Sequence, residues 1–559
     1  MVGTSTQLES IAAHANSLGT SFEQIEPLKQ HIQVKISELS AKIDGVAKAE
    51  NIDPAALNTA IQEALKAHPG FSEPHEFTHN GITLILIRDH AGTPEILIKG
   101  QQLGRGAAGD VFKVVSINTG QTHAAKLAGA MADDASIQNE IDNLAKLNQG
   151  KESIVGMQGR VYRFGNVIVS PLYKHTDLGK QTEIVRFARE VLHIPENEIN
   201  KASLTSGIDE LVNNFSKSIS KQPPPSDEER KQLVADFYAK AGVCYQHFHG
   251  LEESLKLQDD ITVLKEKFDQ TTLDAVKMKM TNLAVKMSER YVPRDMNTKL
   301  TQAAQLYSGF LHLLKSGIFH GDIKPGNFFW DDNQAVVADF DGAVTKQKFI
   351  ARMNKDFTIS SADEAFFLRA AVPFLQANNE AKLQTLSQPV LKKLHEMGFV
   401  ELDEVVEGGQ KKVKFKELVP DQGERLDALQ KHLRVVLFPA GTKGYALESY
   451  SRKMEDFFWQ NDEKNFSRAC DAFEMHAFGV ALFEHFCAGQ IPLSPEQIKD
   501  PEFYNGMAKA LEATGLDKRI CELIMKMVRP IDLKGDPIPL PINEIEMNSL
   551  QALLVNHSK

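Results

Sequence analysis

The chain has 559 residues, 42% hydrophobic and 25% charged, and a net charge of −11: a globular composition, with length for roughly three or four units of about 150 residues. The negative charge argues against a general nucleic-acid binder. No apolar run approaches the roughly 20 residues of a membrane-spanning helix, and the N-terminus lacks the basic-then-apolar order of a secretory signal, so classical export is not expected.

Residues 1–80 read as a helical N-terminal extension. Leu28, Ile32, Ile36 and Leu39 recur at helical spacing, Ala55–Ala67 forms a second run after Asp53-Pro54, and the Ser/Thr/Ala-rich first 20 residues are expected to be disordered. A mixed lobe follows over 81–175. Gly81–Arg88 and Glu95–Lys99 are β-type runs and strand patterns continue to Lys126; a helix spans Ala135–Asn148, and Gly159–Phe164 and Asn166–Leu172 are again strand-like. Residues 176–296 are almost wholly helical, with Ser226 and Glu229 placed for a capping box after three prolines. A helix over Thr298–Lys315 opens the stretch 297–345. Within 346–440, residues 362–397 are helical and Val400–Val406, Gly408-Gly409 and Lys411–Leu418 form a hairpin. Residues 441–559 are helical, with Pro537–Pro541 as a rigid connector to the last helix. The fold class is therefore α+β. Cys244, Cys470, Cys487 and Cys521 lie far apart within apolar helical patterns and read as buried thiols in a reducing, cytoplasmic compartment.

Three segments carry chemistry. In Leu103-Gly104-Arg105-Gly106-Ala107-Ala108-Gly109-Asp110-Val111 the glycines let backbone approach a phosphate closely. Dinucleotide folds share that spacing, but there the third glycine opens a helix, whereas here a strand continues. Lys126, on the next strand, can reach nucleotide phosphates if Glu140 on the following helix holds it. Ile318–Asn327 then offers a carboxylate (Asp322) to orient a hydroxyl and take its proton, a lysine (Lys324) to neutralise the transferred group, and an amide (Asn327) to ligate magnesium. Twelve residues on, Asp339-Phe-Asp-Gly342 places a carboxylate at a strand end, a natural magnesium ligand.

In this order the motifs resemble the eukaryotic-type protein kinases, over residues 95–530. The resemblance implies a bilobal kinase-like fold with large helical insertions, and a Ser/Thr-type kinase using ATP with Mg2+ or Mn2+. It implies that Asp322, Lys324, Lys126 and Glu140 are catalytic. Leu103, Gly104, Arg105, Gly106, Ala107, Ala108, Gly109, Val111 and Lys126 would bind nucleotide, and Asn327, Asp339 and Asp341 would bind metal. Gly441–Glu448 resembles the end of an activation segment, anchored by Glu448, although no partner arginine is evident. Glu474–Glu484 resembles the central helix of the helical lobe. Gly321 stands where the family has arginine, so phosphorylation of the segment is not expected to be needed. Asp341 competes with Asp339 for the metal, and Glu474 replaces an aspartate.

Gly321, the insertions at 176–296 and 346–440, and the extension also resemble kinase-like effectors that bacteria inject into host cells. That likeness implies protein substrates, a host activator or binding partner at the insertions, and delivery to the host cytoplasm by a specialised secretion system. The alternatives are a small-molecule kinase, an AMP- or glutamate-transferring enzyme, and an inactive scaffold. The full set of site residues speaks against the scaffold. Lys411–Lys416 beside the helix at 388–397 imitates a winged helix but reads as one strand with a solvated face, and His247 and His249 read as helix surface rather than metal ligands.

Overall fold

The structure is a computed structural model. It describes residues 41–558 except 69–70, 72, 89–93, 107–108, 129–133, 149–153, 160–161, 165–166, 176, 221–225, 247–269, 341, 352, 354–356, 358, 409, 434–441, 443 and 490. Expectations for residues 1–40, Ala107, Ala108, Asp341, His247 and His249 therefore fall outside the described residues. The chain divides into two compact units: Met1–Ile141 with Arg160–Leu172, and Asp142–Gly159 with Tyr173–Lys559. The architecture is α+β, as the sequence predicted, with an antiparallel sheet followed by a large helical part.

In the first unit a helical stretch over 41–49 precedes α1 (Pro54–Ala67), which Asp53 caps by accepting the Ala56 N–H. Seven strands follow: β1 (His75–His79), β2 (Ile82–Arg88), β3 (Pro94–Gly106), β4 (Gly109–Ser116), β5 (Thr122–Ala128), and, beyond α2 (Asp134–Asn148), whose residues from Asp142 on belong to the second unit, β6 (Tyr162–Phe164) and β7 (Val167–Pro171). The sheet order is β1-β2-β3-β4-β5-β7-β6, so it begins at His75, earlier than the boundary at 81 read from sequence. Alternation along the strands gives two apolar sets. Leu84, Leu86, Ile98 and Val115 pack with Ile43, Val46, Leu57 and Ile61 of the preceding helices. Ile85, Ile87, Leu97 and Val114 form a separate cluster with Val167 and Val169. The N-terminal helices are thus part of the core of this unit, and Glu50 adds an ion pair to Lys113 on β4 at 2.9 Å.

The second unit is mostly helical. α3 (Leu178–Arg186), α4 (Lys201–Ile219), α5 (Asp227–Gln246) and α6 (Gln270–Arg290) build one core in which Phe187, Ile208, Phe215, Leu273 and Met280 are buried together. The predicted capping box at Ser226 and Glu229 is formed. α7 (Met296–Lys315) leads to β8 (Ile318–Phe319), β9 (Phe328–Trp330), β10 (Ala335–Val337) and β11 (Val344–Thr345), in the antiparallel pairs β8–β11 and β9–β10. The loop 154–159 lies against α7 with no side chain between. A Cβ on Gly309 would stand 2.0 Å from the Gly156 carbonyl oxygen, and one on Gly156 1.9 Å from that of Gln305.

Next come α8 (Lys346–Ile350), α9 (Ala362–Gln376), α10 (Glu380–Leu383), α11 (Gln388–Glu396), the hairpin β12 (Val400–Glu407) and β13 (Gln410–Leu418), and α12 (Gly423–Leu433). The hairpin stands where the sequence put it, with Gln388 fastening α11 to both backbone groups of Val413. The segment shares one core with α13 (Glu448–Trp459) and α14 (Glu463–Cys487): Phe349, Leu368, Leu394 and Phe399 are buried with Tyr450, Phe458 and Phe466. α15 (Pro495–Lys499), α16 (Pro501–Glu512), α17 (Lys518–Val528) and α18 (Glu544–His557) complete the unit.

Candidate active site

In the first unit β3 and β4 form the glycine-rich hairpin, with Gly104 opposite Val111, Arg105 opposite Asp110 and Gly106 opposite Gly109. Gly109 has φ +139°, a backbone conformation closed to most side chains. Leu103 is exposed. Val111 lies directly opposite Lys126 on β5, so the two share a face. Lys126 Nζ meets Glu140 Oε2 of α2 at 3.4 Å, with the carboxylate side chain only 6% exposed. The pair predicted from two distant motifs is formed, and burial makes each partner depend on the other.

In the second unit the loop Ile318–Asn327 is closed by hydrogen bonds. Lys324 Nζ donates to Asp322 Oδ2 (2.6 Å) and to Thr442 Oγ1 (2.9 Å), while the Thr442 hydroxyl donates to Asp322 Oδ1 (2.6 Å). Asn327 Nδ2 donates to the Asp322 carbonyl oxygen at 2.7 Å and to Oδ2 at 3.3 Å. The carboxylate is held from three sides and keeps an acceptor position on Oδ1. Beneath it, His320 is buried. Its Nε2 donates to the Ala338 carbonyl oxygen (3.0 Å) and its Nδ1 accepts the Asp322 N–H (3.4 Å), which fixes the tautomer. Gly321 turns at φ +80° and donates its N–H to Glu474 Oε1 at 2.8 Å. Glu474 is fully buried, and that burial raises its carboxyl to about 8. The Glu474 carboxyl thus accepts a hydrogen bond from the loop backbone.

The Ala338 N–H donates to the Asn327 carbonyl oxygen (2.9 Å), joining the segment that leads to Asp339 to the loop. Asp339 has φ +66°, a left-handed conformation uncommon for a non-glycine residue. Because Asn327 commits its Nδ2 to Asp322, its Oδ1 is the atom left to face a cation. Asn327 and Asp339 are hard oxygen donors of the kind that would suit Mg2+. Among the described residues no group of three or more His, Cys, Asp or Glu is placed to hold a metal ion.

One expectation is corrected. Glu448 does not anchor the segment end: its side chain is 88% exposed at the start of α13, and its ion pair is with Arg452 one turn on, at 3.7 Å. The anchor is Tyr445, whose hydroxyl donates to Glu484, a buried carboxylate that also pairs with Arg186. Arg186 and Arg189 further bind the carbonyl oxygens of Cys487, Ala488 and Gly489 at the end of α14. Burial pushes Glu484 up, against the pull of Arg186, and pushes Tyr445 well up. Sequence reasoning did not single out Thr442 or Tyr445 as site residues. Both stand in the stretch Gly441–Glu448 that resembles the end of an activation segment.

No protein-family model matches this sequence, and no curated protein does. Among solved structures the chain is similar to the crystal structure of a rhoptry kinase from Toxoplasma gondii. The identity is 10%, the match covers 85% of this chain and 84% of that one, and the TM-score is 0.35. At that level the chain's own geometry has to carry the functional reading. Nothing in these findings supports the bacterial-effector likeness. Among the described residues no helix is long and apolar enough to cross a membrane.

Proposed function

We propose that the chain is an ATP- and Mg2+-dependent protein kinase that transfers the γ-phosphate to Ser/Thr hydroxyls of protein substrates. The observation that carries this reading is the closed arrangement of Asp322, Lys324 and Thr442. A substrate hydroxyl bonded to Asp322 Oδ1 is aimed at the γ-phosphorus. As its oxygen attacks, the bond from phosphorus to the β-phosphate oxygen breaks, Asp322 takes the hydroxyl proton, and ADP leaves. Lys324 offsets negative charge on the transferred group. The glycine hairpin and Lys126, steadied by Glu140, bind the phosphates of the nucleotide, and Asn327 and Asp339 hold the metal. Mg2+, or Mn2+ in its place, would neutralise phosphate charge.

The test is label transfer by the purified protein with Mg2+, comparing ATP labelled at the γ- and the α-phosphate. Wild type is run beside Asp322→Ala and Asp339→Ala, with and without eukaryotic cell extract. Transfer of γ-label to protein, lost in both variants, is the expected result. Dependence on extract would add a host activator, with the insertions as its binding surface. Transfer of α-label would replace the reading with AMP addition, and no transfer with ATP still bound would replace it with a scaffold or a small-molecule substrate.

A further inference from the structure

The metal motif is bracketed by two buried side-chain amides from one short stretch of chain. Asn143, in the second half of α2, is 1% exposed and donates from Nδ2 to the Ala343 carbonyl oxygen at 2.6 Å, just after the motif. Gln158, 7% exposed, accepts the Asp339 N–H on Oε1 at 3.2 Å, at the motif's first residue. Gln158 is itself fixed. Its N–H donates to the Val337 carbonyl oxygen (2.9 Å), the Val337 N–H donates to the Gly156 carbonyl oxygen (2.8 Å), and its own carbonyl oxygen accepts from Asn148 Nδ2 (3.2 Å). The loop carrying it is seated against α7 at the Gly156–Gly309 approach. Two amides with little freedom of their own therefore grip the backbone at Ala343 and at Asp339, whose φ is +66°.

That backbone conformation is unfavourable for an aspartate by itself and persists only where its surroundings impose it. We propose that Gln158 and Asn143 are positioning residues for the metal ligand, holding the backbone at Asp339 and at Ala343 so that the Asp339 carboxylate is presented. The inference rests on the kinase reading above, since it concerns the metal that reading requires. Outer residues that orient a metal ligand change metal affinity by about 10–100-fold when removed, so the effect falls on the metal rather than on the nucleotide.

The experiment measures the rise in melting temperature caused by ATP, with chelator and across a Mg2+ titration, in the full-length protein. Wild type and Asp339→Asn give the two reference curves. Gln158→Leu removes the acceptor at nearly constant volume, Gln158→Glu restores an acceptor, and Asn143→Ala removes the other amide. The half-saturating Mg2+ concentration is expected to rise about 10–100-fold in Gln158→Leu and Asn143→Ala, with the chelator shift unchanged and partial recovery in Gln158→Glu. A variant that only loosens the fold would lower the melting temperature without moving the Mg2+ midpoint, and that outcome overturns the inference. If Gln158→Leu fails to fold, Asn143→Ala decides in the same way. A Mg2+-dependent shift in wild type that is lost in Asp339→Asn and kept in both amide variants overturns this inference alone. No Mg2+-dependent shift in wild type overturns the kinase reading and this inference together.

Discussion

Thr442 is joined to both charged groups of the loop Ile318–Asn327, accepting from Lys324 and donating to Asp322. Replacing it by valine leaves the shape and removes both bonds. Since hydrogen bonds to charged groups contribute about 1.5–3 kcal/mol, Thr442→Val is expected to lower kcat by about 10–100-fold with little change in KM for ATP. Thr442→Ser should recover most of the loss, and steady-state kinetics on the three proteins checks this. Glu474 makes a separate prediction about stability. Burial raises its carboxyl to about 8 in the folded protein, from an ordinary value of 4.5, so the folded state holds the proton more tightly than the unfolded state. Its contribution is full below about 4.5 and is lost as pH rises towards 8. Glu474→Gln has no proton to lose, so the stability of wild type relative to this variant should fall between pH 5 and pH 8 in denaturant titrations. A parallel pH dependence in the two proteins would refute it. At this scale the sequence was informative about groups that each have a single chemical role. Asp322, Lys324, Asn327 and the Lys126–Glu140 pair stood out in the sequence because the role proposed for each requires that residue type. Gln158 and Thr442 did not. Their bonds join residues 181 and 120 positions apart, and glutamine and threonine are too common on surfaces to stand out.

Between elements, glycines set how closely the loops approach the helices. On α3, a Cβ at Gly179 would come within 2.7 Å of the Gly326 backbone nitrogen, immediately beside Asn327. Gly179→Ala should therefore displace the turn that carries Asn327. The expected result is a raised Mg2+ requirement and lower transfer activity, with a stability cost of about 1–3 kcal/mol from overpacking. Activity and a melting curve on the same sample measure both. Elements themselves were largely legible. α2, α7 and the β12–β13 hairpin lie within a few residues of the sequence reading because periodicity, turn glycines and caps are local signals. The anchor of the segment end was not legible. Glu448 was expected there from resemblance, and the contact is made instead by Tyr445 through Glu484, with Arg186 arriving from a helix 298 positions away.

Across each unit as a whole, the insertions and extension are built into the cores. Phe349, Leu368 and Phe399 of the stretch between the metal motif and Thr442 are buried with Phe458 and Phe466 of α13 and α14. Excising 362–433 should therefore yield a chain that fails to unfold cooperatively, rather than a kinase with altered substrate choice. Circular dichroism during thermal denaturation would show this. Sequence could mark these stretches as extra length. It could not show that they share a core, because burial depends on partners hundreds of positions away. The thiols report on the same cores: Cys470, Cys487 and Cys521 are buried, and burial raises the Cys487 thiol to about 12 and that of Cys521 to about 11.

The backbone approach of Gly156 and Gly309 has an evolutionary consequence. Every amino acid other than glycine brings a Cβ, and at either position that atom would fall within about 2 Å of a carbonyl oxygen. No single replacement is tolerated unless the loop and α7 first move apart. Descendants of this chain should therefore keep both glycines, or have lost both in lineages where the loop that carries Gln158 has been rebuilt.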